Sequence, residues 1–127
     1  MKILVVDDNA SITDLLSQFF KLKGHDCTTT NDGKEGLRLC LNHKFDAIIL
    51  DLAMPEFTGK DFLDSLIQEG KIKEQKIIVI TAMPLDRVII DNSRNGICDV
   101  IQKPLKLESL MKTLESLKSN HVINFGI

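Results

Sequence analysis

Four consecutive apolar residues, Ala47-Ile48-Ile49-Leu50, run straight into Asp51. A run with no polar alternation reads as a strand covered on both faces, the kind found in parallel sheets packed between helices. A carboxylate that closes such a strand stands at the carboxyl edge of the sheet, where open α/β folds bind their ligands. The first strand ends the same way: Ile3-Leu4-Val5-Val6 leads into Asp7-Asp8. Two strands therefore deliver three acids to one edge. Carboxylates this close repel one another unless a cation lies among them. Mg2+ is the simplest cation for an all-oxygen cluster.

The rest of the chain repeats the strand–helix alternation. Lys2–Val6 reads as the first strand. Ile12, Leu15, Leu16 and Phe19 keep helical spacing after it, up to a stop at Gly24. Asp26–Thr30 reads as a second strand, polar enough for a sheet edge. Asn31-Asp32-Gly33 forms a turn, and residues 35–41 form a short helix weakened by Gly36. Residues 46–50 make strand three. A loop through Pro55 and Gly59 leads to a helix over 60–69, with Phe62, Leu63, Leu66 and Ile67 inward and Gly70 at its end. Residues 76–80 make strand four, ending at Thr81. A fourth helix is expected over 85–95, marginal because Val88-Ile89-Ile90 is β-branched, with Gly96 as its cap. Residues 98–102 make strand five, ending at Lys103-Pro104. Leu107, Leu110, Met111, Leu114 and Leu117 give the last helix a continuous apolar stripe.

Alternating elements of this kind imply a parallel sheet with right-handed crossovers and helices on both faces. Its carboxyl edge then carries Asp7/Asp8, Asp51, Thr81 and Lys103. Strand two ends on Thr30 and is expected to turn away without such a group.

A length of 127 residues suits one domain, read here as 1–119 with a tail at 120–127 that defaults to a frayed terminus. Apolar content of 43% and charged content of 27% are those of a soluble globular protein, and a net charge of −2 with no basic run argues against direct nucleic-acid binding. No apolar run reaches the ~20 residues of a membrane span, and no signal-peptide pattern precedes the first strand, so a cytoplasmic location is expected. Cys27, Cys40 and Cys98 form no paired motif, and His25, His43 and His121 are scattered. Neither a disulfide framework nor a zinc site is expected.

The ordered set Asp7-Asp8, Asp51-x-x-Met54-Pro55-x-x-x-Gly59, Thr81-Ala82 and Lys103-Pro104 closely resembles the receiver domain of two-component response regulators. The separations among Asp51, Thr81 and Lys103 fit the family spacing, and the resemblance covers about residues 2–118. It implies a flavodoxin-like, doubly wound (βα)5 fold with a parallel sheet of order 2-1-3-4-5. It also implies that Asp51 is the phosphoacceptor and Asp8 a direct Mg2+ ligand. The backbone carbonyl of Ala53 would complete the protein ligands, with Asp7 acting through water or from behind. Thr81 would bind a phosphoryl oxygen. Lys103 would pair with the phosphate, or with Asp51 before phosphorylation, and the Lys103–Pro104 peptide would be cis.

The implied function is that of a stand-alone receiver of the chemotaxis or sporulation-relay type, with no enzymatic activity beyond its own phosphotransfer and dephosphorylation. A sensor histidine kinase or a histidine phosphotransfer protein would donate the phosphoryl group, and a downstream protein would read it. The chain would be a monomer or a weak homodimer. Repacking on activation is expected to fall in 81–103 more than in 10–40.

Two departures from the family pattern carry consequences. Val100 occupies the position three before Lys103 that often holds a switching aromatic ring, and a β-branched side chain has no ring to relocate. Ala53 and Met83 are apolar where receivers often position the attacking water, which implies a comparatively long-lived acyl phosphate. Three other functions compete. A phosphatase of the haloacid dehalogenase type needs a second Asp at the position of Ala53. A dinucleotide or flavin module needs a glycine-rich first turn in place of Asp-Asp-Asn-Ala. A phosphate-independent interaction domain would have no use for the acid, hydroxyl and lysine set.

Overall fold

The computed structural model describes residues 1–82 and 96–126, with side-chain surroundings through Leu117. The expected fourth helix and Met83 lie outside the described residues. The elements are β1 (Lys2–Val6), α1 (Ala10–Leu22), β2 (Asp26–Thr30), α2 (Gly33–Asn42), β3 (Ala47–Asp51) and α3 (Gly59–Gln68). A short 3-10 turn (Ile72–Glu74), β4 (Ile77–Thr81), β5 (Ile97–Gln102) and α4 (Leu107–Gly126) follow. All pairings are parallel, in the order β2-β1-β3-β4-β5. This is the doubly wound, flavodoxin-like arrangement that the alternation and the resemblance imply, with polar β2 at one edge.

The three inner strands are buried on both faces, which is why they read as unbroken apolar runs. Leu4, Val6, Ile48, Leu50, Ile77 and Val79 face one way, into a core closed by α2 and α3 through Cys40, Phe62, Leu63 and Leu66. Ile3, Val5, Ala47, Ile49, Ile78 and Ile80 face the other, against Leu16 and Phe20 of α1 and Leu110 and Leu114 of α4. Each fully buried Leu, Ile or Phe contributes about 1.5–3 kcal/mol over its exposed state, so the strand ends rest on rigid ground.

Several local readings are corrected. Leu15 is 50% exposed, and Thr13, Leu16 and Phe20 form the buried row of α1 instead. Ile67 is likewise 50% exposed on α3. Both residues flank a stripe already filled by larger or better-centred neighbours. α2 starts at Gly33, two residues earlier than expected, because Asp32 caps it by accepting the Lys34 N–H at 3.1 Å. Gly36 within that helix has a packing reason: a Cβ there would lie 2.7 Å from a Val6 methyl, so glycine lets α2 settle on β1. The backbone of α4 runs on across residue 119 to Gly126. Among the described residues no helix is long and apolar enough to cross a membrane.

Candidate functional site

β1 and β3 are paired neighbours, with Val6 opposite Leu50, so Asp7 and Asp51 leave adjacent strands at the same edge. Asp7 is fully buried and Asp51 is 2% exposed, whereas Asp8 faces solvent. Each of the three offers a carboxylate oxygen, and these oxygens all lie within 4.8 Å of one another. α1 does not use this pair as its cap. Asn9 caps it, accepting the Ser11 N–H at 2.9 Å.

β4 runs beside β3, and buried Thr81 follows Ile80, the register partner of Asp51. The Lys103 N–H donates to the Thr81 carbonyl at 2.7 Å, which ties the exit of β5 to the end of β4. From there the Lys103 side chain, 19% exposed, brings Nζ to 3.1 Å from Asp7 Oδ2 and 3.6 Å from Asp51 Oδ2. The Lys103–Pro104 peptide is cis. The sheet thus gathers Asp7, Asp8, Asp51, Thr81 and Lys103 at one edge.

The lysine makes the expected ion pair with Asp51 and stands closer still to Asp7. Asp7 Oδ1 accepts the Asn9 N–H at 2.9 Å, while Oδ2 is buried without a hydrogen bond. The Lys103 contact to Oδ2 is therefore an ion pair lacking hydrogen-bond alignment. It supplies charge where an orphaned oxygen most needs it. Asp51 has other support, because its Oδ1 accepts the Ala53 N–H at 3.1 Å. Burial is the main force on the Asp51 carboxyl and pushes its pKa up to about 6. The Ala53 N–H opposes this, the Asp7 charge adds to it, Lys103 opposes it, and a hydrogen bond shared with Asp8 adds to it.

The loop after Asp51 is held close by Gly59. Its N–H donates to the Leu52 carbonyl at 3.1 Å, and a Cβ there would lie 2.5 Å from Leu52 Cα and 2.7 Å from the Asp51 carbonyl oxygen. Ala53 is exposed beside Asp51. Val100 is half-buried and packs by aliphatic contact against the α2/α3 core.

The donor set suits a hard divalent cation. It is all oxygen, one acid faces solvent, and one buried carboxylate oxygen lacks a hydrogen bond. Chemically the edge combines a largely desolvated carboxylate, an ammonium and a hydroxyl, a set able to accept and hold a phosphoryl group.

Strand two, expected to bring no phosphate or metal group, is followed by Asn31, which reaches this edge through hydrogen bonds to the protein itself. Its Nδ2 donates to the Asp7 carbonyl at 2.7 Å and to the Thr13 hydroxyl at 3.0 Å. The available signal was positional: Thr30 pairs with Val6, so the residues that follow each of them leave the sheet side by side.

The model of the response regulator receiver domain matches residues 3–115. Response regulator SaeR of Staphylococcus epidermidis is 34% identical over 128 residues, covering 94% of this chain and 53% of that protein. The transcriptional regulatory protein CpxR homolog of Haemophilus influenzae is 30% identical over 134 residues, covering 99% of this chain and 56% of that protein. The chain spans about half the length of these curated relatives. Among solved structures, the chemotaxis protein CheY4 of Vibrio cholerae superposes with a TM-score of 0.80 at 30% identity, over 91% of this chain and 97% of that one. Response regulator TrrA of Thermotoga maritima, solved in complex with Mg2+ and BeF, gives a TM-score of 0.76 at 28% identity over 91% and 97%. The chain belongs to the response regulator receiver domain family, the phosphoaccepting domains of two-component signalling.

Proposed function

We propose that Asp51 accepts a phosphoryl group from a phosphohistidine of a sensor kinase or phosphotransfer protein. The phosphorylated chain then alters its binding to a partner protein or passes the phosphoryl group on. The observation that carries this reading is the position of Asp51. It is buried at a strand end, with Asp7 and Asp8 oxygens within 4.8 Å and an ammonium at 3.6 Å.

An ionised Asp51 oxygen attacks phosphorus, the bond from phosphorus to the histidine nitrogen breaks, and the imidazole leaves with that electron pair. With a pKa raised only to about 6, Asp51 is mostly ionised at neutral pH. Asp8, Asp51 and the Ala53 carbonyl would hold Mg2+, with Asp7 behind them, and the ion would supply positive charge against the phosphoryl oxygens. Lys103 leaves its ionic contacts to donate to one phosphoryl oxygen, and the Thr81 hydroxyl donates to another. These contacts form only when phosphate arrives, so they bias the edge toward a second arrangement. Asp51 forms and loses its own acyl phosphate; no further enzymatic activity is assigned.

Exposure to a small acyl phosphate with Mg2+, then borohydride reduction, converts an aspartyl phosphate to homoserine. Fragment mass spectra are expected to place that change at residue 51. Its appearance at another acid, or at none, contradicts the assignment.

A further inference from the structure

We propose that Asn31 is a positioning residue for the metal site: with Thr13 it clamps the peptide joining Asp7 to Asp8 and so sets where both carboxylates stand. This rests on the reading of Asp7, Asp8 and Asp51 as a Mg2+ site.

The Asp7 carbonyl lies in one rigid plane with the Cα atoms of Asp7 and Asp8. A hydrogen bond to that oxygen therefore restrains the origin of both side chains at once. Asn31 Nδ2 makes this bond at 2.7 Å. A carbonyl oxygen only accepts, so the amide nitrogen of Asn31 must face it. The second amide hydrogen goes to Thr13 Oγ1 at 3.0 Å, and Thr13 Oγ1 donates in turn to the Ala10 carbonyl at 3.1 Å. Donors and acceptors match along the whole relay. Thr13 is buried on α1 and Asn31 is exposed at the exit of β2, so the clamp joins two elements across the acid-bearing turn.

Other bonds hold the same turn without fixing that plane alone. The Asp7 N–H continues the β1–β2 ladder to the Thr30 carbonyl at 3.2 Å, and the Asn9 N–H holds Asp7 Oδ1. The Asn31 bond is the side-chain contribution, and so the one a substitution removes cleanly. Mg2+ tolerates little departure from octahedral geometry, so an ångström-scale shift of Asp8 is costly to binding.

The test is calorimetric titration of the full chain with Mg2+ alone, alongside thermal melting in chelator. Asn31→Ala is expected to weaken Mg2+ binding by about 10-fold or more, the usual effect of removing an outer support of a metal ligand. Its metal-free melting should fall by only about a few degrees, the modest cost of losing hydrogen bonds made by an exposed side chain. Thr13→Val should weaken binding to a lesser degree, and Thr13→Ser, which keeps the hydroxyl, should bind as the parent does. Parental affinity in Asn31→Ala overturns the proposal, as does equal affinity in Thr13→Val and Thr13→Ser. Should Asn31→Ala fail to fold, the Thr13 pair reads the same relay. If the parent itself binds no Mg2+, the metal-site reading falls and this proposal with it. If the parent binds and no variant differs, only the role of Asn31 falls.

Discussion

Lys103 Nζ stands 3.1 Å from Asp7 Oδ2, closer than its 3.6 Å approach to Asp51. The lysine thus compensates the acid that is fully buried and leaves the neighbouring carboxylate less committed. Replacing it by Lys103→Met should strand the Asp7 charge in the interior. The expected loss is about 3 kcal/mol of unfolding free energy, typical of a buried pair broken on one side. Saturating Mg2+ should recover part of it. Urea unfolding with and without the metal measures both, and an unchanged midpoint in chelator would mean that Asp7 does not depend on the lysine.

The pH dependence follows from Asp51, whose carboxyl is raised from 3.8 to about 6. The folded chain holds this proton more tightly than the unfolded chain does. Stability from this group is therefore fully present below pH ~4 and is lost as pH rises through about 6. Asp51→Asn removes that slope, and at neutral pH without metal it should exceed the parent by on the order of 2–3 kcal/mol. Denaturation of both proteins across the window checks this. Parallel curves would contradict it.

Gly59→Ala tests the backbone beside the site. The added methyl would press on Leu52 Cα and on the Asp51 carbonyl, neither of which yields as a side-chain tip would. A loss of about 1–3 kcal/mol is expected, as for other overpacked positions. Phosphorylation by a small acyl phosphate should slow with it. Parental stability together with a parental labelling rate would show that the loop shifts freely.

The exposed Ala53 beside Asp51 offers no group to orient water. Ala53→Asn should shorten the life of the phosphorylated state by roughly 10-fold through water positioning. Release of inorganic phosphate after removal of the donor gives the rate. No acceleration would place control of hydrolysis elsewhere.

The strands were legible because Ile3–Val6 and residues 47–50 are buried on both faces and carry no polar break, whereas their order came only with the resemblance to the receiver family. Their terminal groups then follow from topology. Helix rotation was less legible, because several apolar residues compete for one inward stripe. Leu15 and Ile67 lose that competition, while Thr13 and Phe20 take the buried row of α1 together with Leu16. The start of α2 at Gly33 depends on the Asp32 cap, which resembles a turn residue until its side chain is placed. Which acid the lysine favours was not written in spacing, since Asp7 and Asp51 leave adjacent strands and only burial and hydrogen bonding separate them. Asn31 escaped because its role is addressed to a backbone carbonyl, which every residue possesses.

Intact mass after exposure to acetyl phosphate, with Mg2+ or with chelator, tests the central assignment most directly. The parent is expected to gain one phosphoryl-sized increment only when the metal is supplied, and Asp51→Ala to gain none. A parent that stays unmodified with Mg2+, or an Asp51→Ala protein labelled to the same extent, would contradict it.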